Sequence, residues 1–123
     1  MIMDYLMIAI GGALGSMARF WFAAFMVRLT GPTFPWGTLI INIVGSFAIG
    51  VFASWTKAGA ILHLSHEMAL FTMVGTCGGF TTFSSFSLQT FDLLRGKQML
   101  RAIAYILLSV ILCLAGVWGG TKL

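Results

Sequence analysis

The stretch GTCGGFTTFSSFSLQTFD, residues 75–92, decides how the rest of the chain is read. It is crowded with Gly, Thr and Ser, holds the Gly78-Gly79 pair and carries four phenylalanines. Glycine inside a helix costs about 1 kcal/mol relative to alanine. A helix through Gly75, Gly78 and Gly79 is therefore weak, and a break is expected near residues 75–81. The surroundings are almost purely apolar: 59% of the 123 residues are hydrophobic and only 8% are charged. A soluble domain needs a charged surface that this composition cannot make, so the chain reads as an integral membrane protein. Irregular backbone at membrane depth survives only where something satisfies its amides and carbonyls. Another protein segment can do so, and so can an ion coordinated by carbonyl oxygens.

Outward from that stretch, a spanning helix needs about 20 mostly apolar residues. Four segments qualify, at about residues 5–27, 36–55, 68–94 and 100–119, the third being irregular. Gly31, Pro32 and Pro35 separate the first two. Ser65 is placed to cap the third, with Glu67 in its first turn at the positive end of the helix dipole. Gly96 sits at a C-cap position in the short RGKQ loop. Trp36, Trp55 and Trp118 fall near helix ends, as an aromatic belt places them. The expected fold is a single all-α membrane domain over residues 1–123, with four transmembrane helices and the third broken mid-membrane. Asp4 at the start and the lack of a small-residue cleavage site favour a retained first span over a signal peptide.

Charge is informative through its near-balance. Four spans put both termini and the second loop on one side, with Lys57 and Lys122. The other side holds Arg28, Arg95, Lys97 and Arg101. Such a weak asymmetry permits insertion in both orientations, while a single topology set by the first and third loops is the alternative. No internal repeat is visible. A chain this small can generate two-fold pseudo-symmetry by pairing with an inverted copy of itself. The formal charge of +4 is spread over loops with no basic stripe of interleaved aromatics, so nucleic acid is not an expected partner. Cys77 and Cys113 make no metal-ligand pattern and read as small apolar side chains.

Polar groups inside spans are the best functional pointers, because lipid makes them costly. Arg19 follows Gly11, Gly12, Gly15 and Ser16, which form small-xxx-small pairs suited to close helix contact. Its guanidinium serves an anion, helix C-terminal carbonyls or a snorkelling contact with the interface. Asn42, Gly45 and Ser46 share a face of the second span. The Asn42 amide must find a partner, either another helix or a passing anion. Tyr105, Ser109 and Cys113 recur every four residues as one stripe. Phe83 and Phe86 are one turn apart beside Ser84, Ser85 and Gln89. Core packing accounts for two such rings, but aromatic edges are positive and also suit a small anion. No nucleophile–base pair, metal cluster or phosphate loop appears, so catalysis is not expected. His63, His66 and Glu67 read as a solvated loop end rather than a metal site.

The run GGFTTFSSF (78–86), together with GGALGSMARF in the first span, PWGTLIINIVGSF in the second and the tyrosine–serine stripe in the fourth, resembles the Fluc family of small fluoride channels. The resemblance covers nearly the whole chain. It implies an antiparallel, dual-topology homodimer in the bacterial cytoplasmic (inner) membrane, passively exporting fluoride through two pores. It also implies a structural sodium ion at the dimer axis, held by backbone carbonyls of Gly78 and Thr81. The fluoride pathway would then be lined by Asn42, Phe83, Phe86, Ser84, Ser85, Tyr105, Ser109, Cys113, Arg19 and Gln89. At Gln89 the family often has glutamate, and at Cys113 a hydroxyl would be usual. The alternative is a small proton-coupled four-helix multidrug exporter. That chemistry needs an intramembrane carboxylate, and only Asp4 and Asp92, both near span ends, are available.

Overall fold

The computed structural model describes all of residues 1–123, and the chain is wholly helical outside its turns. Helix α1 runs from Ile2 to Thr30 and ends at Gly31, whose φ of 79° is a left-handed conformation that costs glycine little. Helix α2 covers Trp36–Trp55 and starts directly after Pro35. The third segment begins with α3, His66–Ala69, where the Ser65 hydroxyl accepts from the Met68 N–H as the capping reading expects. It continues as a π-helical stretch, Leu70–Cys77, then as α4, Gly78–Phe80. Helix α5 covers Phe83–Arg95 and α6 covers Met99–Gly120. Helices α1, α2 and α6 are each long and apolar enough to cross a membrane.

The expected loss of winding at the Gly78-Gly79 pair does not occur. Both glycines are helical, and the backbone becomes extended only at Thr81 and Thr82. The reason is packing. A Cβ at Gly79 would stand 2.6 Å from the Gly12 carbonyl oxygen, and one at Gly75 would stand 2.9 Å from the Gly11 Cα. The glycines let the third segment lie backbone-to-backbone on α1, so their use is close approach rather than unwinding. Over residues 70–77 the winding widens instead, and the Thr76 hydroxyl bonds back to the Phe71 carbonyl at 2.9 Å.

Helix α2 packs chiefly on α6, and α1 chiefly on the π-helical stretch. A buried core of Leu39, Leu93, Ala102 and Tyr105 lies where α2, α5 and α6 meet, with Phe34, Ile43 and Phe86 around it. Only 16 of the 123 residues are buried, while Phe20, Trp21 and Leu100 are among many large side chains left open. Water would not tolerate that much apolar surface. Lipid and protein partners are the surroundings it suits.

Candidate functional site

The site is organised around the two extended threonines. Thr81 has φ −82° and ψ 156°, and Thr82 has φ −152° and ψ 116°. Asn42, on α2, binds this stretch from the side. Its Oδ1 accepts from the Thr82 N–H at 2.8 Å, and its Nδ2 donates to the Thr82 carbonyl at 3.1 Å. The amide thus supplies both hydrogen bonds that a neighbouring backbone would supply in regular structure. The pair also fixes the amide's orientation, because only the oxygen can face an N–H. An amide carries two N–H donors, and Asn42 uses just the one that meets Thr82. Gly45, one turn along α2, leaves room for the Thr81 methyl group.

Thr82 then caps the restarted helix. Its Oγ1 accepts from the Ser85 N–H at 3.1 Å and lies 3.2 Å from the Ser84 hydroxyl. Sequence reading assigned Thr82 no role. The available signal was a threonine directly before a fresh amphipathic run, the pattern of a helix N-cap. The Thr81 carbonyl, by contrast, accepts no hydrogen bond in the chain. Beside it Gly78 is exposed, and a Cβ there would meet nothing closer than the Met73 carbonyl at 3.8 Å. An open glycine next to an unpaired carbonyl fits the oxygen-donor chemistry that a hard cation such as sodium takes.

A groove of about 490 Å3 opens beside the threonines and brings together Asn42, Gly78, Thr81, Phe83, Phe86, Ser109 and Cys113. The Phe83 and Phe86 rings are 5.4 Å apart and tilted by 57°. Ser109 is 6% exposed, and its Oγ has no hydrogen-bond partner. Leaving a buried hydroxyl unpaired costs about 1–3 kcal/mol, so this one is a marked exception in a chain whose other buried side-chain polar atoms are paired.

From the groove a file of rings leads away. Phe86 lies 5.1 Å from Tyr105, Tyr105 lies 5.5 Å from Phe34, and Phe34 lies 4.7 Å from Trp36. Tyr105 is fully buried and donates its hydroxyl to Gln89 Oε1 at 2.7 Å. Gln89 in turn lines a second cavity of about 520 Å3, shared with Phe34, Trp36, Thr38, Asp92 and Gln98. Groove and cavity therefore lie at the two ends of one aromatic file, with the Tyr105–Gln89 bond between them.

Besides Tyr105 and Gln89, three expected site residues stand apart from the groove wall. Ser84 and Ser85 occupy the first turn of α5 beside it. Arg19, on α1, donates its Nε to the Gly79 carbonyl at 3.0 Å. The bond to a backbone carbonyl is among the uses expected for that guanidinium. His63 lies in the loop as expected, whereas His66 and Glu67 fall in the first turn of α3, and together they form no cluster of metal ligands. His66 Nε2 lies 3.3 Å from Asp4 Oδ1 on an open surface.

Comparison with known proteins points one way. The family model described as "CrcB-like protein, Camphor Resistance (CrcB)" matches residues 6–121. A protein of Methylocella silvestris named "Fluoride-specific ion channel FluC" is 55% identical over 118 residues, covering 96% of this chain and 90% of that protein. Proteins of the same name from Rhodospirillum rubrum and Opitutus terrae are 51% and 50% identical. They are matched over 92% and 88% of their own lengths, and over 96% and 94% of this chain.

Proposed function

We infer, from the premise that the chain belongs to the CrcB-like protein family, that it forms a fluoride-specific ion channel in a membrane. Its relatives carry that name over nearly their full length. The observation within this chain that carries the reading is the groove. Its donors with spare capacity, the Ser109 hydroxyl and the second Asn42 N–H, stand among aromatic rings and next to no fixed charge.

Fluoride gives up most of its water to enter such a space. The Asn42 N–H and the Ser109 O–H replace part of that shell, and the Phe83 and Phe86 edges add weak positive potential. None of these groups is a full cation, so none holds the ion tightly. Conduction requires that balance of several weak sites. The file through Tyr105 and Gln89 extends the route to the second cavity. There the Gln89 NH2 group, whose oxygen already accepts from Tyr105, offers donors. The driving force needs no pump. Hydrogen fluoride crosses membranes uncharged and ionises inside, and an inside-negative potential then favours exit by about 2.3 kcal/mol per charge per 100 mV.

The working unit in this reading is an antiparallel homodimer in the bacterial inner membrane, with two pores and with Thr81–Thr82 at mid-membrane depth. Support comes from Phe83, which is 78% exposed in the single chain, and from the open face at Gly78. A second, inverted copy covers both. Carbonyls of Gly78 and Thr81 from the two copies would hold a sodium ion, which supplies a fixed positive charge to a region otherwise without one. The chain's own part is to keep the Thr81 carbonyl unpaired, and the Asn42–Thr82 bonds do this by holding the backbone extended. A proton-coupled exporter lacks a comparable basis, since Asp4 is a part-exposed partner of His66 at the start of α1 and Asp92 lines an open cavity near a helix end.

The test is ion flux from liposomes holding the purified protein. Rapid, non-saturating fluoride efflux with chloride retained is the expected result. Chloride leaving as fast as fluoride, or efflux that requires a proton gradient, would overturn the reading.

A further inference from the structure

Two thiols border the groove; the family resemblance puts Cys113 along the pathway, but the proposed function gives neither sulfur a chemical part. Cys113 lies on α6 one turn beyond Ser109, is part-exposed and lines the groove wall. Cys77, at the end of the π-helical stretch, borders the same space but is only 4% exposed. Neither is in a disulfide. A second observation marks the place as one that takes a ligand: Ser109, a residue of the groove lining, is more than nine-tenths buried and its hydroxyl has no partner. Thiolate sulfur is a soft donor and prefers soft monovalent cations, whereas the carbonyl, amide and hydroxyl groups around it do not.

We propose that Cys113 makes the groove a site for a soft thiophilic monovalent cation, Ag+ or Cu+, and that its occupation closes the fluoride route. The binding step is a plain exchange. The Cys113 thiol gives its proton to solvent, and the sulfur's electron pair binds the metal, with no change in oxidation state. Ser109 Oγ, one turn away on the same face, is the nearby oxygen donor. The bound cation sits among Phe83, Phe86 and Asn42, and fills the space through which the anion must pass. Its charge does not rescue conduction, because a fixed cation on the path traps fluoride instead of passing it. The closure rests on the groove being the fluoride route. The binding itself does not.

The experiment uses silver nitrate in chloride-free buffer, with the full-length protein in detergent for binding and in liposomes for flux. Elemental analysis after desalting should find about one silver per chain in the wild type and in Cys77→Ser, and none in Cys113→Ser. Fluoride efflux, each variant being compared with its own untreated rate, should be lost on adding silver to the wild type and Cys77→Ser, and should persist in Cys113→Ser. Equal silver binding by wild type and Cys113→Ser would overturn the site, as would loss of binding in Cys77→Ser. Silver held at Cys113 with efflux untouched would leave the site standing and remove the groove from the fluoride route. Absence of fluoride efflux before silver is added would count against the channel reading alone.

Discussion

Two regions of this protein are built from the same small residues to opposite ends. Along the seam between α1 and the third segment, Gly11, Gly15, Gly75 and Gly79 let two backbones touch. Polar groups there are consumed, as where Arg19 Nε takes the Gly79 carbonyl and the Thr76 hydroxyl takes the Phe71 carbonyl. Only a few residues further on, around Thr81 and Thr82, capacity is left over. The Thr81 carbonyl, one Asn42 N–H and the Ser109 hydroxyl have no partner. Small and polar residues in a span thus carry two separate meanings. Satisfied groups hold helices together. Unsatisfied ones, costly in lipid, mark where a ligand is to supply the missing partner.

The seam should break most completely. Gly15→Leu would drive a Cβ into the Thr76 carbonyl and to 2.9 Å from the Phe80 N, both of which are backbone and cannot swing aside. Loss of a monodisperse peak on a sizing column is expected. A well-behaved, conducting Gly15→Leu protein would mean that the seam is looser than described.

Asn42→Ala comes next, because Asn42 belongs to both categories. It strips the Thr82 N–H and carbonyl of their partners, at about 1–3 kcal/mol each. Thermal unfolding should move down by several degrees, and fluoride efflux should be abolished. An unchanged melting temperature would show that the extended threonines do not depend on α2.

In the groove itself, effects on flux and stability should separate. Phe86→Ile keeps an apolar side chain beside Tyr105 but removes the ring edge, so efflux should fall while the elution profile stays the same. Ser109→Ala gives the smallest structural effect. Deleting an unpaired buried hydroxyl should leave stability unchanged or raise it by up to about 1 kcal/mol, while slowing efflux. Lower stability in Ser109→Ala would indicate that the hydroxyl has a structural partner and belongs with the seam.

Much of this was legible in the sequence, and the limits have physical causes. Hydropathy alone delimits α1, α2 and α6, since nothing but an apolar run of that length suits a bilayer. Ser65 was readable as a cap because capping is local, within three residues. The neighbourhood of Asn42, Phe83, Phe86 and Ser109 was legible as a set, through periodicity and family resemblance. The close-packing glycines of α1, Gly11 and Gly15, were readable from their spacing, but which glycines of the third segment pack and which loosen the chain was not. Propensity treats Gly78 and Gly79 as helix breakers, yet contact with α1 keeps both wound, and the extension falls to the two threonines after them. The capping role of Thr82 had a local signal, but its pairing with Asn42 was hidden for the same reason: the two are 40 residues apart.

The sequence by itself determined that this chain lives in lipid, how many helices it has room for, and which short stretch departs from plain apolar helix. Those are properties of composition and of neighbours a few residues apart. The tertiary structure alone decided which polar groups are spent and which are left free. A hydrogen bond between distant segments exists only once the helices are packed, so the spare N–H of Asn42 and the unpaired oxygens of Thr81 and Ser109 are written in no local pattern.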